Sequence, residues 1–464
     1  MRYVSTRGRC PDVGFTEALL AGLAPDGGLY TPARWPELSD AELKVLAGRP
    51  YAQVAAAVLA RFAEPELTRE QLLPLCEAAY ATFSHPAVAP LRQLDADLWL
   101  LDLACGPTLA FKDVAMQILA RLYETALKGS GRRLTLVVAT SGDTGGAAVE
   151  AFANSPAVRM VVLFPEGKIS EVQRRFMTTV QADNVRCVAI DGSFDDCQAV
   201  VKSLFADEAF RAEVDLSGVN SINWARIAAQ SVYYVTSALA LGAPERAIAY
   251  TVPSGNFGDA FAGYAALRMG LPIAGITVAT NANDILPRTL STGRYARGSV
   301  VETTSPAMDI QVASNFERLA YEATDRDAAT TAALFEDFAL TGVAQLPEAA
   351  LTALRTVFAG ASVDESTVRS TIREVWSECG VLIDPHTAVG VAAARRHPAA
   401  PGTPHVVLST AHPAKFPEAV EEATGEAAVP HSKARDLAAK PERIDRLPAN
   451  AQAVAAYVRE FVAA

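Results

Sequence analysis

No run of about 18 uncharged apolar residues occurs in the 464-residue chain, which argues against a membrane-spanning helix. The basic N-terminus, MRYVSTRGRCPDVGF, has no apolar segment behind it and does not read as a secretory signal. Cysteine is scarce. The six residues, at 10, 76, 105, 187, 197 and 379, form no CxxC pair, so neither a zinc site nor a disulfide framework is indicated and a reducing cytoplasm is expected. The six histidines, at 85, 386, 397, 405, 412 and 431, show no metal-ligand spacing, and no metal is expected. Positive charge is in deficit. The net charge of −11 argues against nucleic acid as a partner and requires any anionic ligand to be held by local cations. Walker loop, dinucleotide fingerprint, GxSxG elbow and HExxH helix are all missing.

What is present is a soluble composition, half apolar and 20% charged, in a chain too long for a single core. Residues 1–90 read as a small, mostly helical region, with helical spacing in Asp40–Leu46, Tyr51–Phe62 and Glu70–Phe83 and prolines between. From about residue 97 short apolar strands alternate with polar or glycine-rich loops and helices. Strands are predicted at Leu98–Leu103, Leu134–Ala139, Arg159–Phe164, Val185–Ile190, Ala247–Val252, Ile273–Ala279 and His405–Ser409. Helices are predicted from about Ala147, over Asp195–Phe205, over about Trp224–Leu241 and over Ala260–Met269. Strands apolar on both faces and alternating with helices indicate parallel sheets in an α/β fold. Residues 280–370 read as more helical, and the tail after about 425 as a surface extension ending in one helix.

Four strand-end loops are unusually rich in Gly, Ser and Thr: GPTLAFKD (106–113), TSGDTGG (140–146), PSGNFGD (253–259) and STAHPAKF (409–416). Ligands of open α/β sheets bind beyond the carboxyl ends of the strands, so four such loops point to one shared polar site. Lys112, among Leu109, Ala110 and Phe111, is a candidate for Schiff-base chemistry, because a buried ammonium must be paired or neutralised. The same context fits a lysine snorkelling at a helix edge. The run Ser254–Asp259 can converge backbone N–H groups on an anion at a helix start, or simply make a tight turn. Ser141, Gly142, Asp143 and Thr144 suit a carboxylate ligand, although Asp143 fits a helix cap equally. Thr410 could face a ring nitrogen or cap the following turn. Asn223 and Arg226, in NSINWARIAAQ, offer an amide and a guanidinium fork to a phosphate, or belong to an ordinary helix surface. His386, in DPHTAVG, reads as a helix-start or loop residue.

Taken in order, the four loops resemble the threonine synthase family of fold-type II pyridoxal-5′-phosphate (PLP) enzymes, related to the tryptophan synthase β fold. The resemblance runs from VSTRG and DGGLYTP to AHPAKF. It implies two parallel-sheet α/β lobes with an N-terminal helical region. The segments are 1–90, a large PLP-binding lobe from 91–135 and 246–425, a small lobe at 136–245, and an extension at 426–464. It implies PLP bound as a Schiff base on Lys112, the catalytic residue. Gly255, Asn256, Phe257, Gly258 and Asp259 would form the cofactor phosphate cup, Thr410 would meet the pyridine nitrogen, and Asp143 would lie against the ring. Ser141, Gly142, Thr144, Asn223 and Arg226 would bind the substrate, O-phospho-L-homoserine, for conversion with water into L-threonine and phosphate. Another fold-type II lyase or dehydratase acting on serine, threonine or a related amino acid is the alternative. A monomer or homodimer with no nucleic-acid or membrane partner is expected. The chain departs from the common fold-type II pattern at Asp143, where many relatives carry Asn. It also carries Trp224 where a smaller apolar residue or proline is expected.

Overall fold

Strands that are apolar on both faces have to be covered on both sides, and the chain meets this with two sheets and flanking helices. The structure, a computed structural model, describes residues 1–427 and 431–463; residues 428–430 and 464, within the expected C-terminal extension, lie outside it. In chain order the strands begin β1 (Tyr3–Ser5), β2 (Tyr30–Pro32), β3 (Leu91–Gln93), β4 (Leu98–Asp102) and β5 (Leu134–Ala139). Next come β6 (Val158–Pro165), β7 (Val185–Asp191), β8 (Leu216–Ser217), β9 (Ile248–Pro253) and β10 (Ile273–Thr280). The last are β11 (Arg294–Ala296), β12 (Val343–Gln345), β13 (Phe358–Ser362), β14 (His405–Ser409) and β15 (Asp445–Pro448).

One sheet has six strands in the order β13-β10-β9-β14-β4-β3, parallel except for the β3–β4 pair. The other has five in the order β15-β7-β6-β5-β8, parallel throughout. The pairs β1–β2 and β11–β12 are small antiparallel ribbons. In the six-stranded sheet β14, late in the chain, lies between β9 and β4, so three of the four glycine- or threonine-rich loops leave neighbouring strands at one edge. Among the described residues no helix is long and apolar enough to cross a membrane.

Several boundaries differ from the sequence expectation, each for a physical reason. The helix after TSGDTGG starts at Asp143, not near Ala147. Gly145 and Gly146 have low helix propensity, but Thr140 Oγ1 accepts the N–H groups of Gly142 (2.9 Å) and Gly145 (2.8 Å) and secures the first turn. Glycine is required there, since a Cβ on Gly145 would stand 2.4 Å from Met177 Sδ. The helix after PSGNFGD likewise starts at Gly258 rather than Ala260. Within the region read as more helical, Phe358–Ser362 is an edge strand on β10. Its sequence, FAGAS, carries no alternation. Gly360 is needed because a Cβ would meet Pro287 Cα at 2.7 Å.

The tail is more than a surface extension. Its strand β15 extends the five-stranded sheet along β7, and the helix Ala451–Ala463 covers that sheet. Val454 and Val458 are fully buried there in a cluster with Val137, Val161, Leu163, Val188 and Ile190. Replacing Val458 with Asp would place an unpaired carboxylate in that cluster, and we expect a loss of roughly 2–4 kcal/mol. Urea unfolding followed by circular dichroism checks this; a midpoint equal to that of the parent protein would show that the helix is dispensable.

Candidate active site

The loop leaving β4 reaches the helix Lys112–Leu127 through a turn that needs its own carboxylate. Asp113 accepts from Thr108 N (2.8 Å) and Thr108 Oγ1 (2.6 Å), and burial pushes its carboxyl up to about 6. Leu109 takes a left-handed conformation (φ 61°). The turn is then pinned to the loop after β14, with Phe111 N donating to Thr410 O (2.8 Å) and His412 N to Leu109 O (3.0 Å). Lys112, at the first helical position, and Thr410 are therefore held in fixed relation by two backbone bonds.

Lys112 is buried, at 9% exposure, and its Nζ lies 3.5 Å from Asp143 Oδ2. Burial lowers its pKa. Asp143 opposes this, and the nearby cations Lys415 and Arg226 add to the lowering. Such a lysine is not a snorkelling surface side chain.

Asp143 does not cap its helix. Gly142 holds the cap position with φ 126°, and a Cβ there would press on Gln173 at 2.7 Å. The Asp143 side chain points instead at Lys415 Nζ (2.6 Å from Oδ1) and Gln173 Nε2 (2.9 Å from Oδ1). Burial alone would raise this carboxyl; Lys415 and then Lys112 outweigh it and hold Asp143 well below the usual carboxylate range. Ser141 and Thr144 flank it, half-buried.

The loop after β9 opens the helix Gly258–Arg268 with Phe257 in the left-handed region (φ 62°) at the cap. The Phe257 ring is buried against Phe316 and Phe358, so only its backbone is free to face a ligand. Asn256 is exposed, and its carbonyl accepts from Asn315 N (3.1 Å) and Nδ2 (3.2 Å). A Cβ on Gly255 would stand 2.7 Å from Ala307 O, and one on Gly258 3.2 Å from Asn315 Nδ2. Asp259 accepts from Tyr233 (2.5 Å) and Tyr234 (3.0 Å) on Oδ1, while its buried Oδ2 has no partner among the described residues. Burial pushes this carboxyl up to about 7, which lessens its negative charge around neutral pH.

Asn223 caps the helix Trp224–Ala240, accepting from Ala225 N (3.0 Å) and donating to Leu19 O (2.8 Å) and Tyr123 OH (3.3 Å). Its amide is thus committed to placing the helix. Arg226, 2% exposed, donates from Nη1 to Val219 O (3.3 Å); among the described residues its Nε has no partner and no carboxylate lies within ion-pair distance. Burial lowers its pKa to about 10, still well above neutral pH. Trp224 points elsewhere, into a cluster with Tyr3, Trp35, Phe62 and Phe261 and beneath the Arg318 guanidinium. The bulk of this residue therefore anchors the N-terminal region and is not needed to line the site.

The sequence reading missed four members of this constellation: Lys415, Gln173, Thr140 and Asp113. Lys415 carried the same signal as Lys112, a lysine set among apolar residues beside a strand-end loop, in Ala414-Lys415-Phe416. Gln173 carried none, because it reaches Asp143 only across the fold. His386 is buried, with Nδ1 at 2.8 Å from Asp384 Oδ1 and Nε2 accepting from Ala307 N at 3.3 Å. It thereby supports the segment that backs Gly255. Among the described residues no cluster of His, Cys, Asp and Glu is arranged to hold a metal.

Two buried ammonium groups, Lys112 and Lys415, meet one buried carboxylate, Asp143, in an otherwise acidic chain; the buried Arg226 lies near Lys112, and so does the glycine-lined helix start that carries Asp259. This donor set fits a phosphorylated aldehyde cofactor: a lysine amine to bond it and a helix N-terminus for its phosphate. Comparison with known proteins agrees. Residues 83–410 match the family model of pyridoxal-phosphate dependent enzymes, residues 2–80 that of the threonine synthase N terminus, and residues 387–458 that of the threonine synthase C-terminal region. The chain is 46% identical to a threonine synthase of Pseudomonas aeruginosa over 99% of this chain and 98% of that one. It is 40% identical to one of Methylobacillus glycogenes, covering 100% of both. Its structure superposes on PLP-bound threonine synthase from Brucella melitensis with a TM-score of 0.96 at 49% identity, covering both chains fully. On threonine synthase from yeast the TM-score is 0.93 at 35% identity, over 100% of this chain and 99% of the other. With likeness of this degree along the whole length, the chain belongs to the threonine synthase family of fold-type II, PLP-dependent enzymes.

Proposed function

We infer that the protein is a threonine synthase that converts O-phospho-L-homoserine and water into L-threonine and phosphate, by loss of the γ-phosphate and addition of water at Cβ. The observation that carries this reading is Arg226, a buried guanidinium near Lys112 with no carboxylate partner among the described residues. A lyase or dehydratase for unphosphorylated amino acids has no use for a second uncompensated cation, whereas a phosphorylated substrate supplies its counter-charge.

PLP, when bound, supplies an electron sink for charge developing beside the substrate's amino group. The residues do the rest. Lys112 would hold the cofactor, and its freed amine would move protons at Cα and Cβ; its lowered pKa suits that work. The backbone of Gly255–Asp259 would receive the cofactor phosphate, and Thr410 would meet the ring nitrogen. Ser141, Gly142 and Thr144 receive the substrate carboxylate at the start of the helix Asp143–Phe152. Arg226 receives the substrate phosphate and stabilises it as it leaves, while Asn223 acts through the helix it caps. All six cysteines are free thiols, which supports a cytoplasmic location for a protein acting as a monomer or homodimer.

The direct test is release of phosphate from phosphohomoserine with threonine identified as the product; turnover of serine or threonine alone would favour the dehydratase alternative. Arg226→Leu should keep bound cofactor yet lose at least about 30-fold in kcat/KM on phosphohomoserine, since truncating one member of a buried charge pair costs roughly 2–5 kcal/mol. A fall in kcat as well as a rise in KM would show that the guanidinium assists departure of the phosphate. For the cup, Gly255→Ala should weaken PLP binding more than Gly258→Ala. The first Cβ meets backbone, and the second a side-chain amide able to give way. Equal PLP dissociation constants in the two variants, measured by equilibrium dialysis, would move the cup elsewhere.

A further inference from the structure

Lys415 is a buried ammonium that the reaction scheme above does not use. It sits at the end of the short turn Pro413–Lys415 after β14, in the six-stranded sheet, and its side chain is 1% exposed. Its Nζ donates to Thr108 O (2.9 Å) in the loop that carries Lys112, and it lies 5.3 Å from the centre of the Phe176 ring. Its strongest partner comes from the other sheet: Asp143 Oδ1 at 2.6 Å, against 3.5 Å between Asp143 Oδ2 and Lys112.

Two ammonium groups therefore compete for one carboxylate, and the shorter contact belongs to Lys415. An opposite charge within about 4–6 Å favours the protonated form of an amine, and a like charge disfavours it. Lys415 acts on Lys112 in both ways at once, engaging the carboxylate and adding a positive charge of its own. Resting on the functional reading above, we propose that Lys415 is a positioning residue for this reaction: it fixes Asp143 by the shorter contact and so leaves the nitrogen of Lys112 only a longer, shared contact with that carboxylate. The Lys112 nitrogen then gives up its proton readily when the cofactor or substrate requires it. The other titratable groups near that nitrogen are Arg226, which acts in the same direction as Lys415, and Asp259, which opposes it only in its ionised form, its carboxyl being pushed up to about 7 by burial.

The test is a pH titration of the near-visible absorbance of the Lys112-linked cofactor, in the holoenzyme without substrate. Lys415→Met should raise the midpoint by at least about one pH unit, because it frees Asp143 and removes a neighbouring cation. Lys415→Arg keeps the charge and should titrate close to the parent enzyme. Should the Met variant fail to fold, Lys415→Gln serves instead: it keeps a hydrogen-bond donor for Thr108 O and Asp143 without the charge, and should show the same upward shift. An unchanged midpoint in whichever neutral variant folds and holds cofactor overturns the proposal. Because the titration needs no substrate, its outcome is independent of whether the parent enzyme forms threonine from phosphohomoserine, the measurement that decides the functional reading.

Discussion

A carboxylate buried between two sheets stays charged only if cations come to it, and much of the site's geometry follows from bringing them to Asp143. One ammonium arrives from the turn after β14, another from the helix that follows the β4 loop, and an amide from the helix Glu171–Thr178. The first two belong to the six-stranded sheet and Asp143 itself to the five-stranded one. The contact is thus both an electrostatic setting for Lys112 and a tie between the two halves of the molecule. Glycine at 142 and 145 is part of the same constraint. Any larger residue would push the helix carrying Asp143 away from Gln173 and Met177.

Much of the sheet architecture is legible in the sequence, because strands buried on both faces have to be runs of Val, Ile and Leu. Leu134–Ala139 and His405–Ser409 lie where such runs place them. The loops are legible for a related reason: a chain that turns from strand into helix beside a ligand needs Gly, Ser and Thr. Strands at sheet edges are harder to read. Phe358–Ser362 and Asp445–Pro448 have one neighbour each and need no continuous apolar run, so they resemble loops until the sheet is assembled.

Within the site, the residues that sequence reasoning finds are those whose local surroundings are unusual, such as Lys112 in an apolar phrase. Residues whose role comes from distant partners are silent. Gln173 is an ordinary helix residue until it meets Asp143; Trp224, which stood out in the sequence, is explained only outside the site, where Tyr3, Phe62 and Phe261 gather around it. Asn223 is a third kind. Its type and position were legible, but the structure shows its amide engaged in capping and in bonds to Leu19 and Tyr123.

The place of β14 in the sheet bears on how the polypeptide matures during synthesis. Strands β9 and β4 leave the ribosome long before residues 405–409, yet they become neighbours only through β14. Until that strand emerges, both present an open edge with unpaired backbone groups, the kind of surface that recruits other extended chains. The turn bearing Lys112 waits as well, since its backbone anchors are Thr410 and His412. A nascent chain therefore carries an unfinished catalytic half until residues 405–412 have emerged.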